Sequence, residues 1–369
     1  MKRILFIKRK YSPYGGAELY LHRIISVLNK RFEIHIVCQD WLKSQNTVLH
    51  KLPSGFFFSD LFFALSVKVF LNKRKNHYDL VISFDRCISQ DIYRASDGCH
   101  LRWLYQRSLF ESPLKKFSLN LNLKHKILIW LEKKCLYISN KIITNSLMVK
   151  NDYKNFYGED IFYKCQLCYN GIDLKKFYPV SLKRKMELKK YSNLEKSYVL
   201  LFVGSGYVRK GLKPLLQALT LLPSKYKLLV IGKDKNIKKF QALIDKLKLN
   251  NRIFLLGPQK DVLKYYHLAD IFVLPTFYDP FSNACLEALA CGLPVITTVA
   301  NGVSEIISNG KDGFILTDFS NMAENLANFI QYSSDNFSFM SYFAREKAQR
   351  FSLDEKVKEF IKQIELCIV

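Results

Sequence analysis

Short apolar runs rich in β-branched and aromatic residues recur along the whole chain, each followed by a longer stretch of helical periodicity. That alternation is the pattern of parallel sheets with crossover helices, and it leaves few other folds open. In the first half, residues 4–7, 34–37, 80–83 and 141–144 read as strands. In the second half the runs at 198–203, 227–231, 252–256, 271–274 and 294–297 do, with helical patterns in every gap. Tyr20, Ile24, Val27 and Leu28 recur at helical spacing after Gly16 and predict a helix that buries that side. A chain of 369 residues exceeds what one hydrophobic core usually serves, so the expectation is two Rossmann-like α/β domains facing a cleft. Their boundaries are set at 1–180 and 181–350, with a linker near 175–196, where Pro179 and a charged run weaken the periodicity. Residues 351–369 form an amphipathic helix with Val357, Phe360, Ile361 and Ile364 on one side; having no strand after it, it is expected to pack back on the first domain.

Half of the chain is apolar, which excludes a disordered protein. Lys and Arg outnumber Asp and Glu by 57 to 32, a formal charge of +25, so the chain attracts anions: nucleic acid, an acidic membrane face or a phosphorylated small molecule. The nine cysteines have no repeating framework and read as reduced intracellular thiols; Cys165 and Cys168 form a lone CxxC without the second pair that a zinc site needs. The apolar start of the chain is too short for a signal peptide and reads as a first strand of a cytosolic protein. The most apolar stretch, 56–71, is interrupted by Asp60 and Lys68 and is too short to cross a bilayer, so it reads as a helix lying on the core or on a membrane surface, the core being favoured.

Ligands of open parallel sheets bind beyond the carboxyl ends of the strands, so the loops there carry the candidate chemistry. Gly15 and Gly16 open the helix after the first strand, where bare backbone and a helix N-terminus suit a phosphate or sugar as well as they suit a plain tight turn. After the strand at 198–203 comes Gly-Ser-Gly-Tyr-Val-Arg-Lys-Gly, carrying Ser205, Arg209 and Lys210. It lacks the phosphate-loop spacing, but an Arg fork beside a Lys point charge fits a diphosphate. The most informative segment is 278–294. Ser282 is placed to cap a helix from Asn283 to Cys291, Gly292 to stop it and Pro294 to start the next strand. Asp279 lies before this helix and Glu287 inside it, flanked by Leu286, Ala288 and Leu289; two acids so placed can accept hydrogen bonds from sugar hydroxyls while the helix N-terminus faces phosphate.

The segment from Asp279 to Pro294 resembles the acidic-x7-acidic signature of family 4 retaining glycosyltransferases, with Asp279 in place of the usual first Glu. Gly15 and Gly16, the 170–173 run Asn-Gly-Ile-Asp with Phe177, the 204–211 loop, Gly257, and Asn301 to Glu305 follow in the family's order over nearly the whole chain. The run from Gln90 to Trp103 and the Arg-Lys-Gly form of the second loop resemble more closely the lipopolysaccharide core glucosyltransferase I branch. This resemblance implies two facing Rossmann-like domains of the GT-B kind. It implies transfer of a hexose, expected to be glucose, from a UDP-sugar to the lipopolysaccharide core or a related surface glycan, with retention and without a metal. Phe281, Ser282, Asn283, Ala284 and Glu287 would line the donor with Gly15, Gly16, Ser205, Arg209, Lys210 and Asp279, and Gln259 and Lys260 would lie near the base. In the wider family an Arg follows directly on the strand-end glycine; here Ser205 stands there, and Arg209 is its substitute.

Asp97 and His100 sit where this branch keeps its acceptor-side polar cluster, although Asp97-Gly98 on its own reads as a turn dipeptide. Asp97 is expected to orient the acceptor hydroxyl and His100 to bond the transferring sugar. With Lys210 and Glu287 they complete the expected catalytic set. No DxD occurs in the sequence, in keeping with leaving-group stabilisation by Arg209, Lys210 and helix termini in place of a metal. The expected partners are a UDP-sugar, a phosphorylated glycolipid and the anionic inner face of the cytoplasmic membrane, to which a cytoplasmic enzyme would bind peripherally. Two rivals stand: another two-Rossmann enzyme such as a sugar-nucleotide epimerase, and a basic nucleic-acid-binding protein. The second lacks any recognised nucleic-acid motif, and its basic residues are spread along the chain.

Overall fold

The structure, a computed structural model, describes residues 1–10, 16–40, 47–55, 58–74, 76–110 and 122–368. The chain divides into two compact units, Met1–Asn170 with Asp354–Val369, and Gly171–Leu353. Each is a parallel α/β sheet layered with helices.

The first unit carries β1 (Arg3–Ile7), β2 (Glu33–Cys38), β3 (Val48–Lys51), β4 (Leu80–Ser83), β5 (Ile92–Ala95), β6 (Lys141–Thr144) and β7 (Cys165–Leu167) in the order β3-β2-β1-β4-β5-β6-β7. The second carries β8 (Tyr198–Val203), β9 (Tyr226–Ile231), β10 (Ile253–Gly257), β11 (Ile271–Leu274), β12 (Val295–Thr298) and β13 (Gly313–Leu316) in the order β10-β9-β8-β11-β12-β13. In each sheet the order reverses beside the first strand, between β1 and β4 and between β8 and β11, which is where such sheets take ligands. The registers are parallel, with Ile4 opposite Ile34 and Leu80, and Leu200 opposite Leu228 and Ile271. Ile4 to Ile7 and Val199 to Phe202 are fully buried, as strands covered on both faces must be.

Several sequence expectations are corrected. Strands β3, β5, β7 and β13 were not anticipated; the first three hold only three or four residues and are broken by His50, Arg94 and Gln166. Val27 is exposed while Leu21 and Ile25 take its place in the core, because the buried arc of the helix Gly16–Leu28 is centred one residue to the side. The first unit ends at Asn170 and not at 180. The segment beyond it is held by the second unit: Arg345 donates to the carbonyls of Phe177 at 2.9 Å and of Ala290 at 2.7 Å, and the Phe177 ring stands edge-on to Tyr266. The charged run expected to be a linker is the helix Leu182–Tyr191, capped by Ser181, whose Lys185 and Lys189 both reach the buried Asp270.

The last helix, Leu353–Glu365, lies in the first unit from Asp354 onward and buries Val357, Phe360, Ile361 and Ile364. Its anchor is Arg94, a cation with no exposed surface in the middle of β5. Arg94 donates to the Cys168 carbonyl at 2.8 Å and to Asn170 Oδ1 at 2.9 Å, and lies 5.5 Å from both the Tyr20 and Phe360 rings. Tyr20 in turn donates its hydroxyl to the Lys356 carbonyl. All three tryptophans, Trp41, Trp103 and Trp130, belong to this unit's sequence, so their fluorescence reports its unfolding selectively. Phe360→Ala is predicted to destabilise the tryptophan-reported transition in urea by about 3–5 kcal/mol, the cost of emptying a fully packed aromatic site.

Candidate active site

In the second unit the loops after β8 and β11, on either side of the sheet's reversal, are zipped together by backbone. The Phe277 amide donates to the Arg209 carbonyl at 2.8 Å, the Thr276 hydroxyl donates to the same oxygen at 3.0 Å, and Arg209 donates back to the Tyr278 carbonyl at 2.8 Å. Gly211 makes the approach possible: it holds φ +77°, and a Cβ there would lie 1.9 Å from the Pro275 oxygen. The close approach delivers Lys210 to Asp279. Both are buried, and the ammonium and carboxylate are in direct contact. Arg209, the other cation of this loop, is half-buried and holds the loop edge through its bond to Tyr278.

Asp279 is fixed at its backbone too, its amide donating to Ala300 and its carbonyl accepting from Gly302, each at 2.9 Å. The next link is Asn301, fully buried, whose Oδ1 accepts from the Ser282 amide at 3.2 Å and whose Nδ2 donates to Thr297 at 2.9 Å. Asn301 thereby seats the start of the helix Asn283–Ala290. Ser282 is its N-cap residue, with extended backbone and no side-chain capping bond; Cys291 is the C-cap and Gly292, at φ +74°, the stop. Phe281 is buried, and Asn283 and Ala284 are partly exposed at the first turn.

Glu287 is one turn further on. Tyr266 donates its buried hydroxyl to Glu287 Oε2 at 2.8 Å, and burial raises the Glu287 carboxyl to about 7, against the lowering effects of this bond and of Lys176. Ser205 is exposed and accepts from the Lys233 amide. Gln259, beyond β10, spends its side chain on the Leu256 carbonyl and the Tyr265 hydroxyl, and Lys260 beside it is exposed. Lys210 thus meets Asp279, Asn301 ties the same loop to Ser282, and Ser282 opens the helix that carries Glu287, whereas Gln259 and Lys260 follow β10, the edge strand of the sheet.

In the first unit Gly15 lies outside the described residues, and Gly16 begins its helix as expected. Asp97 and His100 follow β5, not β4 as the strand reading implied. Asp97-Gly98 is indeed a turn, with Gly98 at φ +71°, and the Asp97 side chain is more than half exposed, 3.6 Å from Arg86. His100 starts the helix His100–Phe110, and its amide is accepted by both oxygens of Glu132, at 2.9 and 3.0 Å. Glu132 is fully buried and also takes Arg86 at 3.0 Å and the Tyr157 hydroxyl at 2.7 Å. The His100 ring is bonded to His125 at 3.2 Å; burial, then Arg86, His125 and Lys124, depress it to about 3, so it is a neutral imidazole at physiological pH. Arg86, His125, Glu132 and Tyr266 escaped the sequence reading. Glu132 alone left a trace, as an acid on the helix face shared by Leu131, Cys135 and Leu136.

Because the Glu287 carboxyl is raised in the folded protein from 4.5 to about 7, its favourable contribution is complete below the unfolded value and is lost as pH rises through 7. Glu287→Gln should therefore match the wild-type melting point near pH 4 and exceed it at pH 8, by about 1–3 kcal/mol of stability. Thermal denaturation across that pH range without ligand checks it.

Two family models match in tandem: Glycosyltransferase Family 4 over residues 14–176 and Glycosyl transferases group 1 over 184–351. The chain is similar to the lipopolysaccharide glucosyltransferase WaaG of Escherichia coli K12, with 25% identity over 85% of each chain. It is also similar to an N,N'-diacetylbacillosaminyl-diphospho-undecaprenol alpha-1,3-N-acetylgalactosaminyltransferase of Campylobacter jejuni, 33% identical over 39% of this chain and 38% of that one. Among solved structures, WaaG superposes with a TM-score of 0.80 at 22% identity, over 96% of this chain and 98% of that one. Anabaena Alr3699/HepE in complex with UDP and glucose gives 0.77 at 19%, over 99% and 100%. At those identities the structures speak for the fold, and with the two sheets and the tandem models they place this chain among the family 4 glycosyltransferases of GT-B fold.

Proposed function

We propose that the chain is a retaining hexosyltransferase that moves glucose from UDP-glucose to the lipopolysaccharide core or a related bacterial surface glycan, without a metal. The observation that carries this reading is the Lys210–Asp279 pair set beside the first turn of the helix bearing Glu287. A cation next to a helix N-terminus suits a diphosphate, and two acids eight positions apart suit hydroxyls of the sugar and ribose that flank it. The names of the relatives support the class of substrate: one is a lipopolysaccharide glucosyltransferase, another acts on a diphospho-undecaprenol glycolipid, and a structural neighbour holds UDP and glucose.

In this reading the bond from the sugar's anomeric carbon to the UDP phosphate oxygen breaks while the acceptor oxygen bonds to the same face. The acceptor's proton passes to an oxygen of the departing phosphate. Charge grows on the diphosphate, so Lys210, Arg209 and the helix N-terminus stabilise the transition state. Phe281, Ser282, Asn283 and Ala284 shape the donor's seat, with Gly15, Gly16 and Ser205 lining it and Gln259 and Lys260 toward the base. Neutral His100 bonds the transferring sugar, and exposed Asp97 orients the acceptor hydroxyl. The enzyme works from the cytoplasmic face of the membrane as a peripheral protein; no helix among the described residues is long and apolar enough to cross a bilayer.

Release of UDP from a panel of UDP-sugars, with purified core glycolipid present or absent, tests the proposal. UDP-glucose turnover that requires the glycolipid supports it, and acceptor-independent conversion would support an epimerase. Asp97→Ala is predicted to lower kcat by at least about 100-fold while UDP affinity, measured by calorimetry, changes less than about twofold. Loss of both in proportion would move Asp97 to the donor side. Activity is also predicted to persist in excess EDTA; complete loss reversed by Mg²⁺ would refute the metal-free mechanism.

A further inference from the structure

The second unit holds a partly open hollow of about 200 Å³ that no step of the proposed reaction uses. The helices Leu182–Tyr191 and Phe337–Gln349 wall it, with Pro179, Tyr266 and Gly292 between them. Gly292 keeps it from closing: a Cβ there would come 3.0 Å from Ser341 Oγ and 3.4 Å from the Pro179 side chain. Lys185 is the one cation of the lining. His267, its other basic group, donates to the Tyr178 carbonyl at 3.0 Å, and burial lowers its pKa, so it stays neutral.

Lys185 is buried, and it shares its carboxylate, Asp270, with Lys189. Asp270 leans to the other lysine, at 2.5 Å against 3.3 Å for Lys185, and also accepts from the Val199 amide at 2.8 Å. Two ammoniums therefore stand on one carboxylate, and among the described residues no other carboxylate pairs with either. One positive charge is left over in a place with little water, which is costly. Burial accordingly lowers the Lys185 pKa, against the raising effect of Asp270. An ammonium has three donors, and beyond Asp270 this one faces the Phe337 ring at 4.4 Å. We propose that the hollow binds a small organic anion, a carboxylate on a compact apolar body, with the carboxylate on Lys185 and the body against Phe337 and Pro179. The unbalanced charge calls for an anion, and the apolar walls call for a body, so inorganic phosphate would meet only half of the site. The volume is below that of pockets for drug-sized ligands, which keeps the body small. Tyr266 links the hollow to the donor residues: it stands in the wall and donates its hydroxyl to Glu287 at 2.8 Å. An occupant packed on this wall holds that hydroxyl on the carboxylate, so it tightens UDP binding. The coupling rests on the donor reading given above; the site itself does not.

Benzoate, benzyl alcohol and inorganic phosphate are titrated into the full chain and followed by ligand-observed NMR. Benzoate should bind with a Kd of about 1 mM or tighter, and the other two at least about tenfold more weakly. Lys185→Met leaves Asp270 to Lys189 and strands no charge; it should weaken benzoate at least about tenfold. Ser341→Phe, which fills the hollow and touches neither charge, should abolish benzoate binding with an unchanged melting point. Calorimetry of UDP in saturating benzoate should show at least about threefold tighter binding in the wild type and no change in Ser341→Phe. A wild type that ignores benzoate, or takes benzyl alcohol equally well, overturns the proposal. So does a folded Ser341→Phe that binds benzoate undiminished, which would put the anion elsewhere, on the donor loops for instance. UDP affinity indifferent to bound benzoate overturns the coupling through Tyr266. Benzoate bound at Lys185 by a chain that does not bind UDP at all would uphold the site and remove the donor reading instead.

Discussion

The contact between Lys210 and Asp279 is the constraint around which the second unit's site is organised. Two opposite charges are taken out of water together, and each is tolerable only while the other is present, since breaking a buried pair leaves an uncompensated charge. The loops after β8 and β11 must therefore meet closely, which is why Gly211 stands against the Pro275 carbonyl and why the Arg209 carbonyl accepts from both Thr276 and Phe277. Gly232 makes the same kind of concession one strand over: a Cβ there would come within 2.1 Å of the Gly204 oxygen. Asp279 then hands its position on to Asn301 and so to the helix that carries Glu287. An Asp at 279 has one carbon fewer than the family's usual Glu, and it is already occupied by Lys210. In the proposed reaction the incoming diphosphate competes with Asp279 for that ammonium.

A second buried acid plays the corresponding part in the first unit. Glu132 gathers the His100 amide, Arg86 and the Tyr157 hydroxyl, and Arg86 in turn reaches Asp97. The two candidate acceptor-side residues thus differ in kind. His100 is locked by its backbone and by His125 and kept neutral by burial and by nearby positive groups, whereas Asp97 is exposed and held only at 3.6 Å.

Much of this was legible in the sequence where apolar runs were continuous. The strands beginning at Ile4, Leu80, Lys141, Tyr198 and Ile271 were placed within a residue, because a strand covered on both faces has no room for polar side chains. The runs broken by Arg94, His50 and Gln166 hid their strands, since a buried cation satisfied by carbonyls and aromatic rings leaves no local pattern. The run 183–196 read as a linker because the lysines that hold its helix find Asp270 more than eighty positions away. Lys210, Asp279 and Glu287 were named from motif and helix position, and the fold brings them to the sheet's reversal point. Their partners Tyr266, Glu132 and His125 are set by tertiary contact, which spacing along the chain does not encode. The core reading of the 56–71 stretch holds for one face of its helix, and the opposite face is left open.

The central claim is that Lys210 is the cation on which a donor diphosphate rests. The most direct measurement is a calorimetric titration of UDP into the wild type and into Lys210→Met/Asp279→Asn, a double variant that removes both charges and strands neither. Loss of a charge-assisted hydrogen bond of about 1.5–3 kcal/mol predicts that UDP binds the double variant about 10–100-fold more weakly. A double variant that folds as the wild type does and binds UDP with the wild-type affinity would contradict the account.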